Sequence, residues 1–275
     1  MPQRSDCPGT EYPVIRAAAS LLLTVLLLFA TVLSTWAEPA TDDAEALRSF
    51  LESHYGITIR MGDECRRDPS DSFEIRITPE GDTAFQQLVY GNRRFLDLLR
   101  LLDDVLSVYP PDFFSGFRLT RNYGGLKFLL ADDILRDGIP RGGFQSGADA
   151  EGKILIFLSR AGAKERAIHH EIGHAVDYRI RWQYPDAFDD WYQLNPEDFL
   201  YTGDFSGTGE GNEEPDDWFV REYSKIDEYE DRATIFEALM TKDDAWWETR
   251  PYLRRKAELF LEKARPVFGD LPTQK

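Results

Sequence analysis

His170-Glu171-Ile172-Gly173-His174 is the stretch of this 275-residue chain that says most about its fold and chemistry. In a helix, residues i and i+4 lie on one face, so the pattern places two imidazoles one turn apart with a carboxylate beside them. An HExxH helix of this kind supplies two zinc ligands and a general base. Three of the four histidines fall at positions 169, 170 and 174, and this clustering favours a metal site.

A third metal ligand is needed, because a catalytic zinc ion generally has three protein ligands and a water. No further histidine follows at short spacing, so we expect a carboxylate from a later helix. Glu230 is the preferred candidate, and Glu237, two turns along the same helix face, is the rival. The alternative role for Glu230 is to form a capping box with Asp227 at the start of its own helix.

The residues around the motif are expected to support it. Asp177 follows His174 by three positions, so it can accept a ring N–H from a ligand histidine or pair with Arg181. His169 lies about 100° around the helix from His170, so we expect it to be packed or to face solvent and not to bind the metal. Gly173 is expected to allow another element to approach the helix closely.

A longer pattern links the motif to a known family. His170 to Asp177 is followed by Tyr223, six intervening residues and Glu230. Over about residues 153–238 the chain resembles the zinc metallopeptidases of the anthrax lethal factor type, which include the secreted Pro-Pro endopeptidases. The usual Glu-x-Phe-Ala-Glu start of the ligand helix is here Glu-Asp-Arg-Ala-Thr, from residue 230 to 234.

The resemblance implies a role for each residue of the pattern. It implies that Zn²⁺ is bound by His170, His174 and Glu230, with Glu171 as the general base. It also implies that the Tyr223 hydroxyl donates to the oxyanion that develops on the carbonyl oxygen. Physical chemistry agrees, because peptide hydrolysis needs a polarised carbonyl, a base for the water and a donor for the developing charge.

The order of predicted elements indicates an α+β fold. The strongest strand pattern, at residues 153–159, ends eleven residues before His170, and we expect it to be an edge strand. Such an edge either adds an extended peptide as a further strand or is a sheet strand with no role in ligand binding. Helices are predicted at 42–54, 82–108, 162–181, 230–247 and 251–268. Together with the resemblance, this predicts a zincin-like, gluzincin-type fold with a small mixed sheet, an edge strand before the HExxH helix and a helical C-terminal part.

Three regions are expected along the chain. Residues 1–37 resemble a signal peptide or signal anchor, because two arginines precede an uncharged stretch at 17–37. Residues 38–125 are an N-terminal region that can belong to the same core. Residues 126–275 form the predicted metallopeptidase domain, with an acidic insertion at 185–220. A leader of this kind predicts a secreted or extracytoplasmic protein, and contact with membrane only if the leader is an uncleaved anchor.

The excess of acidic over basic residues limits which partners the protein is expected to bind. Asp and Glu outnumber Lys and Arg by 49 to 32, a net charge of −17, which argues against binding nucleic acid or anionic lipid. The acidic charge either serves solubility or gives a preference for cationic substrate segments. We therefore predict a secreted zinc endopeptidase acting on an extended protein or peptide; the alternative is an inactive zinc-binding or partner-binding module with the same fold.

Overall fold

The computed structural model describes residues 43–67, 74–77, 92–110, 112–136, 138–205 and 214–271, which all lie in a compact unit from Thr41 to Lys275. Its helices are α1 Ala44–Tyr55, α2 Leu96–Leu106, α3 Glu165–Gln183, α4 Glu228–Thr241, α5 Asp244–Glu248 and α6 Pro251–Phe268. Its strands are β1 Thr58–Met61, β2 Glu74–Arg76, β3 Arg118–Thr120, β4 Tyr123–Gly124, β5 Leu126–Ala131, β6 Asp133–Arg136, β7 Ile139–Pro140, β8 Gly143–Ala148 and β9 Ile154–Ser159. The chain is therefore α+β, as predicted, while the finer zincin-like arrangement stays a prediction.

The main sheet has four strands in the order β1-β5-β9-β8. Strands β1, β5 and β9 are parallel, and β8 runs antiparallel to β9. All six residues of β9 are buried, and alternate ones enter different clusters: Ile156 joins the main core, and Phe157 joins a smaller cluster. Because both faces are covered, β9 is a continuous apolar run instead of an alternating one.

The predicted strand before the HExxH helix is present, but its predicted place at the sheet edge is wrong. β9 lies between β5 and β8, and the edge on this side is β8. The β6–β7 hairpin precedes β8, which pairs antiparallel with β9. The backbone edge of β9 is therefore hydrogen-bonded to β8 and is not open. β8 ends in exposed residues and has a register irregularity between Ser146 and Ala148.

The N-terminal region joins this sheet. Asp43 caps α1 by accepting the Glu45 N–H at 2.9 Å, and Gly56 ends the helix at φ +66°. Strand β1 follows and pairs in parallel with β5, so the predicted regions 38–125 and 126–275 share one sheet. Of the long helix predicted for 82–108, the structure describes a 3₁₀ turn at Asn92–Phe95 and then α2, while residues 78–91 lie outside the described residues.

Helices α3 and α4 pack tightly against each other. A Cβ added at Gly173 of α3 would lie 3.0 Å from the Phe236 Cβ and 3.1 Å from the Ala233 carbonyl oxygen of α4. Gly173 therefore allows the close approach that the sequence predicts. α4 is buried on almost all sides, because α6 also packs against it through residues such as Phe260. The predicted helix at 251–268 is confirmed, and the one at 230–247 is divided into α4 and α5.

The acidic insertion is anchored by aromatic side chains where it is described. Trp191, in a 3₁₀ turn at Trp191–Leu194, is fully buried, and Phe188 is almost so. The Trp191 indole N–H donates to Asp231 at 2.9 Å, next to the predicted ligand Glu230. Among the residues that the structure describes, no helix is both long and apolar enough to cross a bilayer, and the predicted leader at 1–37 lies outside them.

Candidate metal centre

The two histidines of the motif converge with Glu230 on one point. The rings of His170 and His174 are 4.7 Å apart between centroids, and their Nε2 atoms lie 3.0 and 3.2 Å from the same Glu230 oxygen, Oε2. One ligand atom from each residue lies within 4.8 Å of the others. Two imidazole nitrogens and a carboxylate oxygen form the donor set of a catalytic zinc site, so these residues fit the ion.

The start of α4 explains why Glu230 is available for this group. Asp227 caps the helix by accepting the Glu230 backbone N–H at 2.8 Å. The cap therefore uses the main chain of Glu230 and leaves its carboxylate for the histidines. The close packing of α4 on Gly173 then sets the first turn of α4 beside the motif.

Burial and charge set the protonation of the metal-free group. Burial would raise the pKa of Glu230, but the two nearby histidines lower it well below its usual range. Burial would lower the pKa of His170, but the carboxylates of Glu230 and Glu237 raise it to about 9. A cation would therefore have to displace a proton from this group, because a metal binds the neutral imidazole.

Glu237, the rival ligand, lies on the other side of His170. Its Oε2 is 3.4 Å from the His170 Nδ1, whereas Glu230 faces Nε2. Arg221 donates to the other oxygen of Glu237, and Arg166 lies 3.5 Å from it. Glu237 is therefore in ion-pair contact with the Nδ1 side of His170, where Arg221 Nη2 also lies 3.4 Å from Nδ1, and it is not in the ligand group.

Asp177 and His169 form hydrogen bonds with residues outside the ligand group. The Asp177 carboxylate accepts from the Arg232 Nε at 2.8 Å and from the Arg181 Nε at 3.0 Å. Of its two predicted uses, the pair with Arg181 is present, and a buried pair with Arg232 joins α3 to α4. His169 is fully buried, with its Nδ1 2.6 Å from the Tyr109 hydroxyl, so of the two predicted places it is packed and does not face solvent.

Glu171 and Tyr223 line one cavity with the ligand group. The cavity has a volume of about 220 Å³, and its walls include His174 and Glu230. Burial raises the pKa of Glu171, although the neighbouring histidines partly oppose the shift. Tyr223 lies in a 3₁₀ turn at Glu222–Lys225 and donates its hydroxyl proton to Glu230 Oε1 at 3.1 Å. The structure thus brings together all five residues of the predicted pattern.

The cavity also has walls that the sequence pattern does not reveal. Strand β8 contributes Gly143, Phe144 and Gln145, and a Cβ at Gly143 would lie 3.2 Å from the Glu171 Cγ. Arg136, Arg141 and Phe205 complete the lining. None of these residues belongs to a recognisable motif: Arg136, Arg141 and the β8 residues come from the hairpin and edge strand before β9, and Phe205 comes from the acidic insertion.

Zinc binding is expected to release about one proton per ion at pH 7.5, because His170 has a pKa of about 9 in the metal-free protein and binds zinc as neutral imidazole. Zinc affinity should therefore weaken as the pH falls below this pKa. Titration calorimetry in two buffers of different ionisation enthalpy measures the released protons. In Glu237→Gln, which removes a carboxylate that raises this pKa, fewer protons should be released. Equal heats in both buffers would contradict the assignment.

Comparisons with known proteins add little to this site. No family model and no curated protein matches the chain. One solved structure, from Bacteroides caccae and named a "putative zinc-binding metallo-peptidase", is similar with a TM-score of 0.43 and 14% sequence identity, over 85% of this chain and 89% of that one. A likeness this low carries no argument about this chain, whose function has to be inferred from its own residues.

Proposed function

We propose that the protein is a secreted zinc endopeptidase that hydrolyses a bond within an extended peptide, with a site of the anthrax lethal factor type. One observation carries the proposal. Two histidines from one helix and a carboxylate from another meet at a single point, and that point opens into a cavity containing a buried glutamate. A purely structural ion would not require an open cavity beside its ligands.

His170, His174 and Glu230 would hold the ion in this proposal. When bound, zinc supplies a Lewis acid that polarises a carbonyl group and makes a water more acidic. The carboxylate of Glu230 stays ionised in its buried place, because the histidines lower its pKa. Glu237 supports this set by holding the ring of His170 from the Nδ1 side.

Glu171 is proposed to move the proton. It takes a proton from the attacking water and passes it to the nitrogen of the leaving amine. Burial raises its pKa, which makes the carboxyl better able to hold that proton between the two steps. Gly143 keeps β8 close to Glu171, and its lack of a side chain leaves room for the Glu171 methylene groups.

The edge strand β8 is proposed to align the substrate. It is the last strand of the main sheet in the described part of the chain, and three of its residues line the cavity. An extended peptide can pair with such an edge through its backbone, which places a peptide bond beside Glu171 without selecting side chains. The role that the sequence suggests for the strand at 153–159 is therefore better suited to β8.

The proposal is tested by measuring the zinc content and the peptide cleavage of the same purified protein. Purified wild-type protein should contain one zinc ion per chain and should cleave members of a broad peptide library, as detected by mass spectrometry. Chelation should stop cleavage, and added zinc should restore it. His170→Ala should lose both properties, whereas His54→Ala, a histidine on α1, should keep both. Stoichiometric zinc with no cleaved peptide would sink the enzyme proposal.

Tyr223→Phe is expected to lower kcat by about 10²- to 10³-fold, because it removes the hydroxyl proposed to donate to the developing oxyanion. KM and zinc content should change little, since the ring remains and the ligand atoms are untouched. Steady-state kinetics on a cleaved peptide measures the effect. Tyr192→Phe, at an exposed tyrosine of the acidic insertion, is the matched control and should behave as wild type. An unchanged kcat in Tyr223→Phe would remove Tyr223 from the mechanism.

A further inference from the structure

A second cavity lies beside the C-terminal half of α3. Its volume is about 120 Å³, and among the described residues it shares no wall with the cavity at the metal centre. An apolar cavity of about 150 Å³ can hold a benzene molecule, so about one ring-sized group fits here. The residues that give this cavity its chemistry are Tyr123 of β4, Ala148 at the end of β8, Asp149 in the turn after β8, and Tyr178, Arg179 and Trp182 of α3.

Three aromatic rings line the second cavity. Trp182 is 55% exposed and Tyr123 is 41% exposed, so both rings leave apolar surface in contact with water. The centroids of the Tyr178 and Trp182 rings are 6.1 Å apart. Tyr123 lies directly against the backbone of Gly152, where an added Cβ would overlap the ring. An apolar group in the cavity would cover these rings, which are already held in place.

Arg179 adds a buried positive charge to the same walls. The residue is 8% exposed, and its Nε donates to the Gly116 carbonyl oxygen at 3.0 Å. Its Nη1 is buried, and neither Nη1 nor Nη2 has a hydrogen bond to any residue that the structure describes. Nη2, unlike Nη1, is not sealed from solvent. A buried charge is costly unless it is paired, so this guanidinium is suited to an anion that enters the cavity.

The acidic residue in these walls does not cancel the charge of Arg179. Asp149 Oδ1 accepts the backbone N–H groups of Glu151 and Lys153, each at 2.9 Å. Its Oδ2 lies 2.6 Å from the Lys127 Nζ. The Asp149 carboxylate is therefore committed to the turn and balanced by its own lysine, which leaves Arg179 as the unbalanced charge of the described walls.

The second cavity continues the groove that begins at the metal centre. Strand β8 lines the first cavity at Gln145 and the second at Ala148, which is about 10 Å further along an extended chain. His174 and Trp182 lie on one row of α3, two helical turns or about 12 Å apart. An extended peptide aligned on β8 therefore reaches from Glu171 to the second cavity in about three or four residues.

We propose that the second cavity binds an apolar, ring-sized group that carries a carboxylate. Arg179 donates to the carboxylate, and the three aromatic rings pack against the apolar part. A carboxylate has the single negative charge that balances one arginine, whereas the net charge of −17 disfavours ions of higher charge. This chemistry occurs in a free aromatic acid and in an aromatic residue at the C-terminus of a peptide. The shared groove favours the peptide, and that assignment rests on the proposed peptidase function.

Binding is tested first with small probes that need no catalysis. N-acetylphenylalanine should bind the wild-type protein with a Kd of about 0.1–1 mM, the range for a ligand of about 15 non-hydrogen atoms. N-acetylphenylalaninamide, which has no charge, and acetate, which has no ring, should each bind at least about tenfold more weakly. Titrations followed by NMR of the probe measure all three. Equal affinity for the acid and the amide would overturn the proposal.

Variants locate the bound probe. Arg179→Met should reduce the affinity for the acid to that for the amide, because methionine keeps an apolar stem but has no charge. Trp182→Ala, at an exposed side chain, should weaken both probes. Arg255→Met, at an exposed arginine of α6, is the matched control and should bind as wild type does. Tight binding of the acid that persists in Arg179→Met and Trp182→Ala would place the probe elsewhere and overturn the proposal.

Peptides distinguish the two sources of the carboxylate. Two peptides of one sequence end in Phe, one with a free C-terminal carboxylate and the other with an amide. Wild type should cleave the free acid, three or four residues before its C-terminus, with about tenfold higher kcat/KM, and Arg179→Met should remove this difference. Equal kcat/KM values, together with tighter binding of the small acid, would identify a free acid as the ligand. If neither peptide is cleaved, the peptidase proposal fails, and the probe titrations alone decide whether the site exists.

Discussion

Glu171→Gln is expected to lower kcat by about 10²- to 10⁴-fold, the contribution of a positioned general base. The amide has nearly the shape of the carboxyl group but cannot take a proton from water. Zinc content should stay at one ion per chain, because Glu171 is not one of the three residues whose atoms converge. KM should change little, since the side chain remains in its buried place. Metal analysis and steady-state kinetics on the same preparation measure both quantities.

Glu165→Gln is the matched control for this variant. Glu165 opens the same helix α3, and its side chain is largely exposed, so its replacement should leave kcat and zinc content unchanged. A Glu171→Gln protein that keeps more than about a tenth of the wild-type kcat would contradict the role of Glu171 as base. Loss of zinc from Glu171→Gln would show instead that Glu171 supports the metal.

The ligand group can be predicted from sequence because local geometry determines most of it. Helical spacing alone puts His170 and His174 on one face, whereas Glu230 is selected by its spacing from Tyr223 in the family pattern. The close packing of the two helices is also readable, because Gly173 has no side chain to hold them apart. The roles of these residues in catalysis remain predictions.

The strand order and the residues that line the cavity cannot be predicted from the sequence in the same way. A continuous apolar run such as β9 shows that both faces are covered, but it does not show which strand lies beside it. Whether β8 or β9 forms the edge depends on how the β6–β7 hairpin directs the chain into β8, and so does the position of Arg141. Asp177 illustrates the same limit. Its pairing with Arg181, four residues along the helix, follows from helix spacing, whereas Arg232 is 55 residues away in the sequence.

Lys256→Met is expected to lower the free energy of unfolding by about 3–5 kcal/mol, the usual cost of leaving one partner of a buried ion pair alone. The side chains of Lys256 and Asp231 are both fully buried, and their charged atoms are 2.7 Å apart. The lysine also donates to the Trp218 carbonyl oxygen at 2.9 Å. It thereby joins α6 to Asp231, the neighbour of Glu230, and to the segment that leads to Tyr223. Urea unfolding of the zinc-free proteins measures the loss, so that metal binding does not mask it.

Two controls separate the lost charge pair from lost packing. Lys263→Met changes a partly exposed lysine on the same helix and should alter stability by less than about 0.5 kcal/mol. Lys256→Met combined with Asp231→Asn should be more stable than Lys256→Met alone, because a neutral amide oxygen can still accept from Trp191 and Tyr201 without leaving a buried charge. A double variant no more stable than the single one would show that packing dominates.

The pH dependence of the stability of Lys256→Met tests this explanation independently. Burial already raises the pKa of Asp231 in the wild-type protein, and loss of the ammonium should raise it further. A carboxyl whose pKa is higher in the folded than in the unfolded state favours folding below its unfolded pKa, and this contribution is lost as the pH rises through the folded pKa. The stability deficit of Lys256→Met should therefore be largest near neutral pH and shrink as the pH falls and Asp231 takes up a proton. A deficit independent of pH would mean that the carboxylate is not what destabilises the variant.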